Sequence, residues 1–401
     1  MENFDLVVCG AGPAGSAASI KACRNGMKVL LLDKKFFPRP KTCGGGIPYK
    51  IKEIFPELNW DELIENHIHN MNHTIHFKKP QRHSFSSQGN SLSILTVLRE
   101  KFDSALVQLA QKTGVSFLAG FQIQRKNDSQ KKLEISIESS NGEKRIISSD
   151  FLIISDGALG RTKKKFGFLE EYPLSVAIEG NFKIGTERRK SSEDTLFLDY
   201  GLDNGYWWAF PKKEQINIGG GVFFPFVSKN FEKKQIKSLI LNGISKFVKY
   251  FSDEGSNYEN FEERLVGSIL PLYNGFRKIG NQDGSILLCG DSAGLVNPFF
   301  GDGILNSIKS GLVASEMIVQ GKSKDYSEKI YEEIGKELEW AFKIATIFYK
   351  WPSFFFKTMI CQPRASKVAA QMLSGEPLFK QVSLKLEKKF GKYINLFRGK
   401  Q

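Results

Sequence analysis

The sequence predicts an α/β fold, α+β overall. An open, mainly parallel sheet is interleaved with a separate antiparallel sheet, and a helical region closes the chain. Three observations carry that prediction. Short, continuously apolar runs at residues 4–9, 29–32 and 151–155 have the pattern of fully buried parallel strands. Residues 174–182 and 215–222 alternate apolar and polar, as antiparallel strands with one buried face do. From residue 310 onward the pattern is helical, and the end is basic at Lys380, Lys385, Lys388, Lys389, Lys392, Arg398 and Lys400. With 401 residues, and roughly 150 residues per domain, two or three domains are expected.

Composition bounds the function classes. Hydrophobic residues make up 41% and charged residues 25%, an ordinary globular balance that excludes wholesale disorder. The 57 Lys and Arg against 43 Asp and Glu give a net charge of +14, which favours anionic partners. Phe, at 33 residues, outnumbers Tyr and Trp together and suits a greasy pocket or a membrane-facing patch. Cysteines at 9, 23, 43, 289 and 361 form no CxxC pair, so a disulfide scaffold or zinc site is not expected and a reducing cytoplasm fits best. No apolar run reaches the ~18 residues of a membrane helix. We expect no signal peptide, because the chain opens directly into a strand.

That first strand leads into Gly10-Ala-Gly12-Pro13-Ala14-Gly15, then a helix that stops at Asn25-Gly26, then a second strand ending on Asp33. A lone GxGxxG says little. Between strand and helix, with an acid 18 residues after Gly15, it is a dinucleotide fingerprint. Gly10 permits the tight turn, Gly12 lets backbone approach a pyrophosphate, and Gly15 lets helix pack on strand. The helix N-terminus supplies phosphate donors, and Asp33 would accept from a ribose hydroxyl. An acid at 33 favours an adenosine ribose without a 2′-phosphate.

Far downstream, residues 285–294 read as a third buried strand running into a loop with Asp291. Asn297-Pro298-Phe-Phe-Gly301-Asp-Gly303-Ile304 then starts a helix. Together with the first fingerprint, this split arrangement resembles the FAD-dependent oxidoreductases related to p-hydroxybenzoate hydroxylase. The resemblance implies a Rossmann-like FAD-binding domain. Asp291 matches the family's ribitol-binding acid, and Pro298, Gly301, Gly303 and Ile304 match its loop beside the flavin pyrimidine. The run from Val97 through Arg99 to Asp103 resembles the helix start whose Arg reaches the cofactor phosphates or ribose. Asp156-Gly157 resembles the family's strand end. The implied division is 1–66, 96–170 and 271–320 for FAD, 67–95 and 171–270 for substrate, and 321–401 helical.

Two further stretches narrow the family. Cys43-Gly44-Gly45 and Tyr206-Trp207-Trp208-Ala-Phe210-Pro211 both resemble the geranylgeranyl reductases, which saturate isoprenoid double bonds in archaeal lipids, chlorophyll side chains or quinone tails. The family's Pro-x-x-Tyr-x-Trp-x-Phe-Pro is met at Tyr206, Trp208, Phe210 and Pro211, with Asp203 replacing the leading Pro. Tyr206, Trp208 and Phe210 share one face of a strand and would line a slot for a prenyl chain. The resemblance implies FAD as cofactor, Cys43, Gly44 and Gly45 against the flavin, and an isoprenoid lipid as substrate. NADPH or a reduced ferredoxin-like protein would donate electrons; no nucleic-acid partner is expected. Within the same fold a monooxygenase is the alternative. A halogenase typically carries Trp-x-Trp-x-Ile-Pro, which this chain does not match. A non-catalytic, lipid-binding flavoprotein is disfavoured because every cofactor position is chemically competent.

Alkene reduction also needs a proton. Cys43 and Tyr206 are the sequence's candidates, and a thiol, at ~8.5, is a better acid at neutral pH than a phenol, at ~10. All five histidines fall between His67 and His83. With no carboxylate or thiol interleaved, they predict a polar strand face and no metal site, with His67, His69 and His73 on one side and His76 on the other. Finally, Trp340, Phe342, Phe348, Tyr349, Trp351, Phe354, Phe355 and Phe356 crowd a stretch that carries Lys343, Lys350 and Lys357. That stretch, broken by Pro352, would wall the pocket or rest peripherally on an anionic membrane.

Overall fold

The computed structural model describes residues 2–85, 94–127, 132–185, 190–223, 233–252, 260–362 and 364–397. Arg398 and Lys400 of the basic end lie outside the described residues. The first sheet has seven strands. Its order is Ser116–Ala119, Val29–Asp33, Glu2–Cys9, Lys144–Ile154, Leu133–Ser139 and Phe121–Asn127, with Ile286–Leu288 also paired to Lys144–Ile154. The five strands nearest the fingerprint run parallel, and the hairpin closed by Asn141 and Gly142 extends the sheet antiparallel. Leu6, Val7, Val8, Leu30, Leu31 and Leu32 are buried in continuous runs, as strands covered on both faces are. The helix Pro13–Arg24 packs so closely on Ile304–Val319 that a Cβ on Gly311 would stand 2.2 Å from the Ala14 carbonyl oxygen.

A second seven-stranded sheet runs Val266–Pro271, Leu174–Lys183, Gln215–Phe223, Gly205–Pro211, Thr195–Asp199, Asn70–Ile75 and Lys78–Ser84. All its neighbours are antiparallel except Thr195–Asp199 beside Asn70–Ile75. One face is capped by the helix Lys233–Phe251, where the Trp207 indole donates to the Ile240 carbonyl at 2.9 Å. A three-stranded sheet of Gly46–Pro48, Ile94–Val97 and Ile64–Ile68 links the two larger ones. The expected boundaries at 66/67, 95/96 and 270/271 fall inside strands, since pairing runs continuously through them.

The C-terminal helices cover the other face of the antiparallel sheet. Phe348, Tyr349, Phe355 and Phe356 are buried in one cluster with Tyr200, Trp208, Phe223 and Phe299. Pro352 begins a new helix, Pro352–Phe355, rather than interrupting one. No described helix is long and apolar enough to cross a membrane.

The histidines depart from a single alternating strand. Ile64–Ile68 and Asn70–Ile75 belong to different sheets, so the chain switches sheets between His67 and His73. His76 is in the following turn, with φ of 51°, not on the opposite strand face. Among the described residues no group of three or more His, Cys, Asp or Glu is placed to hold a metal. His73 is buried, with Nδ1 3.1 Å from the Tyr200 hydroxyl and Nε2 2.9 Å from the Ser366 hydroxyl. It thereby ties the helix Ala365–Leu373 to the sheet. Burial, aided by His83, pulls its pKa down to about 3. Below about pH 6.5 the unfolded chain takes up a proton that the folded chain refuses, so this contribution is full above that pH and is lost as pH falls towards the folded value. Between about pH 6.5 and about pH 4 the Tm of the wild type should fall more steeply than that of His73→Gln. Parallel Tm curves would show that His73 does not titrate in this way.

Candidate active site

The two large sheets enclose a cavity of about 970 Å³, at the upper end of the ~300–1,000 Å³ range of ligand pockets. At one end stands the glycine fingerprint. Gly10 has φ of +100°, and a Cβ there would meet the Ser155 carbonyl oxygen at 2.4 Å. A Cβ on Gly15 would meet the Gly10 carbonyl oxygen at 1.9 Å, so this glycine serves helix packing behind the cavity wall. Gly12 differs: a Cβ there would find only the Arg39 guanidinium, at 3.8 Å. Its backbone therefore faces open space, as close approach of a pyrophosphate requires, with Pro13 and Ala14 of the helix start beside it on the wall. Lys34, Lys35, Arg39, Lys41, Arg161 and Lys165 also line the cavity, supplying positive potential for an anionic group.

Asp33 ends its strand inside this cradle. Its Oδ2 accepts the Ala11 N–H and its Oδ1 the Lys35 N–H, each at 2.9 Å. Those bonds fix the carboxylate yet leave lone pairs for a ribose hydroxyl. Arg99 lines the cavity too, but its guanidinium forks onto Asp103 at 2.8 and 2.9 Å. Asp156 uses both oxygens internally, accepting from Ser292 Oγ and the Thr162 N–H at 3.1 Å each, and so locks its own turn to the Asp291 loop. Asp291 stands on the wall, with its Oδ1 3.4 Å from where a Gly303 Cβ would lie. Gly301, Gly303 and Ile304 line the cavity around the start of the helix Ile304–Val319, whereas Pro298 is not among the lining residues.

The far end is aromatic. Tyr206, Trp208 and Phe210 all face the cavity, with ring centroids 5.8 and 6.4 Å apart. Pro211 does not line it. Strand alternation turns positions 207, 209 and 211 the other way, and the Pro211 carbonyl accepts from Thr96 instead. The neighbouring strand makes room for the indoles: a Cβ on Gly219 would stand 2.4 Å from the Trp208 ring, and one on Gly220 2.5 Å from Trp207. The Trp208 indole donates to Asn217 Oδ1 at 3.0 Å. The Tyr206 hydroxyl donates to the Phe300 carbonyl. Burial, with Asp302 nearby, pushes that phenol further up, so its proton is tightly held.

The glycine loop meets this stripe directly. A Cβ on Gly44 would overlap the Phe210 ring at 2.1 Å, and Gly45, at φ of +73°, backs onto the Val97 carbonyl. Cys43 lies on the cavity wall, its sulfur accepting the Gly45 N–H at 3.4 Å and facing the Arg99 guanidinium.

Sequence reasoning missed three buried charged groups here. The Lys212 ammonium donates to the Gly44 and Val97 carbonyls at 3.0 and 2.8 Å, and burial pulls its pKa down to about 8. Glu179 projects from Leu174–Lys183 towards the Cys43 N–H and Asn217, and burial pushes it up to about 7. Asp302 sits between the two glycines of the downstream loop, pushed up by burial to about 7. An acid within an otherwise apolar alternation was the available signal for Glu179. Asp302 and Lys212 stood inside or beside quoted motifs.

Comparison with known proteins agrees with this geometry. Residues 3–200 match the FAD binding domain family. A menaquinone reductase of Mycobacterium tuberculosis is 28% identical over 79% of this chain and 77% of its own. Digeranylgeranylglycerophospholipid reductase 1 of Methanosphaera stadtmanae is 28% identical over 86% and 82%. In fold, a geranylgeranyl bacteriochlorophyll reductase-like protein of Thermoplasma acidophilum superposes with a TM-score of 0.75 at 20% identity, covering 97% of this chain and 99% of that one. A flavin-dependent brominase shares the fold at 0.72 and 18%, covering 96% and 100%.

Asp33→Ala should weaken FAD binding by about 1–3 kcal/mol, the scale of a hydrogen bond to a charged group. Titration of apoprotein, followed by flavin fluorescence, checks this, and an unchanged Kd would take Asp33 off the ribose. The cradle, the ribose acid and the distal Asp291 loop fit FAD on this structure's own terms, and the chain is a FAD-dependent oxidoreductase similar to geranylgeranyl and menaquinone reductases.

Proposed function

We propose that this protein saturates carbon–carbon double bonds of a geranylgeranyl or other isoprenoid chain. The carrying observation is the contact of Gly44 with Phe210, which runs the dinucleotide cradle without a break into an aromatic slot. Bound FAD would supply hydride at one carbon of the alkene. The chain's own residues do the rest. Tyr206, Trp208 and Phe210 present flat apolar surface that holds a prenyl segment and excludes water. Such a slot positions an unactivated alkene at the ~3–3.5 Å from which transfer proceeds. Gly44 and Gly45 let backbone stand where a side chain would fill the slot. The prenylated compound is of archaeal lipid, chlorophyll or quinone type, and NADPH or a reduced ferredoxin-like protein provides the electrons.

A monooxygenase would share the cradle, so the test separates the two. Dithionite-reduced enzyme, incubated anaerobically with geranylgeranyl lipids, should raise product mass by two hydrogens per double bond. A wild type that leaves every prenyl chain untouched, yet hydroxylates one in air, overturns the reading.

The surface beside the slot supports peripheral membrane contact. Lys343, Lys350 and Lys357 are exposed at seven-residue spacing, and Phe354 among them is 48% exposed. Anionic headgroups would meet the lysines while the ring enters the interface. Liposome flotation should show partition to anionic over neutral vesicles, and equal partition would remove this part.

A further inference from the structure

We propose that Gly221 is a specificity-determining residue, leaving in the wall of the slot a socket for the methyl branch of an isoprenoid chain. The inference rests on the isoprenoid reading above. Three glycines follow one another on the strand Gln215–Phe223, and packing accounts for Gly219 and Gly220. A Cβ on either would drive into the ring of Trp208 or Trp207. Gly221 is different. A Cβ there would meet nothing closer than the Trp208 ring and the Val176 carbonyl oxygen, each at 3.6 Å, and the Ala177 Cβ at 3.7 Å. These are ordinary van der Waals distances, and Gly221 is not among the glycines with positive φ. Neither packing nor backbone conformation therefore asks for glycine at this position. What its bare backbone leaves is a space the size of one methyl group, open to the cavity.

The register turns that space towards the slot. Gly221 pairs with Tyr206 on one side and Ala177 on the other, and cross-strand partners share a face of the sheet. All three line the cavity. Phe223, the next residue on that face, stacks on Tyr206 with ring centroids 6.1 Å apart. The walls are also held in place. The Trp208 indole donates to Asn217 Oδ1, the Tyr206 hydroxyl donates to the Phe300 carbonyl, and the Phe223 ring packs on Tyr349 at 4.9 Å. These three rings are thus kept from swinging in to fill the space.

A straight hydrocarbon chain running along the slot leaves such a space empty and forfeits the contacts its lining could make. An isoprenoid carries a methyl branch on every unit, and that branch can seat against Trp208 and Ala177. In an unsaturated unit the branch is bonded to an alkene carbon. Seating it therefore also fixes where the double bond lies along the slot, which is what transfer at close range requires. One methyl group in an apolar pocket is worth about 10-fold or more in discrimination.

The test uses the FAD-loaded protein and two saturated alcohols that cannot be reduced, methyl-branched phytanol and straight-chain hexadecanol, which share a main-chain length. Calorimetric titration of the wild type should show phytanol bound about 10-fold or more tighter. Gly221→Ala fills the socket, so it should lose that preference by weakening phytanol while hexadecanol binds as before. Its Tm and FAD content should match the wild type, because the added methyl group meets only ordinary contacts. In turnover its kcat/KM for a geranylgeranyl lipid should fall about 10-fold or more. The proposal is overturned if the wild type shows no preference or if Gly221→Ala keeps it. It is equally overturned if the variant loses FAD, since the space then belongs to the cofactor, or fails to fold, since the space is then not free. Binding of the saturated alcohols does not depend on the reaction. A wild type that prefers phytanol yet saturates no prenyl chain removes the reductase reading and leaves the socket standing.

Discussion

The arrangement of both sheets around the cavity depends on one buried cation. Lys212 leaves the motif strand just after Pro211 and crosses to the glycine loop, where it donates to the Gly44 and Val97 carbonyls. Removing an ammonium from water costs several kcal/mol. Two carbonyl oxygens and the nearby carboxylates of Glu65 and Glu179 offset that cost without cancelling it, which is why the pKa of Lys212 falls. The bonds join the antiparallel sheet to the segment that leads out of the dinucleotide cradle. Glu65 extends the joint, accepting the Lys213 N–H at 3.3 Å and pairing with Lys101 at 3.6 Å. With this clasp open, Phe210 would lose the backbone it rests on.

Glycine then sets how closely surfaces come together. On the strand Gln215–Phe223, Gly219, Gly220 and Gly221 lie opposite Trp208, Trp207 and Tyr206. Side chains at Gly219 and Gly220 would overlap the indoles, so bare backbone on one strand is what lets wide rings lie flat on the next. The two faces of that strand pair do different work. Trp207 packs beneath the helix Lys233–Phe251, and Trp208 faces the cavity. A period of two divides adjacent tryptophans between core and pocket.

Much of this was legible in the sequence where local pattern and local structure coincide. The fingerprint, its helix and Asp33 are consecutive in the chain, and each buried strand showed itself as an apolar run. The alternation of Tyr206, Trp208 and Phe210 also revealed their common face. What stayed hidden depends on contacts between distant segments. Arg99 could be placed at the site, but not the fork onto Asp103 that occupies its guanidinium. Pro211 belongs to the motif, yet its parity turns it away from the slot. The histidine stretch could not show its change of sheet, because the strand that draws Asn70–Ile75 into the second sheet lies over 100 residues away. Burial of Lys212, Glu179 and Asp302 is likewise a property of the assembled cavity, invisible in their neighbours along the chain.

Those buried groups follow from the same apolar lining that suits a prenyl chain. An isoprenoid offers no hydrogen bonds, so a slot that holds it must be dry. A dry slot raises the pKa of any carboxyl group on its wall. Near the glycine loop this produces a mutually supporting set, with the Glu179 carboxylate and the Lys212 ammonium each lessening the penalty of the other's charge. At the opposite wall the same desolvation pushes the Asp302 carboxyl up to about 7, with the Asn297 amide drawing it back. One physical cause thus reaches both walls, raising Glu179 at the joint between the sheets and Asp302 beside the aromatic slot alike. What differs is the partner each has, the Lys212 ammonium near Glu179 and the Asn297 amide beside Asp302.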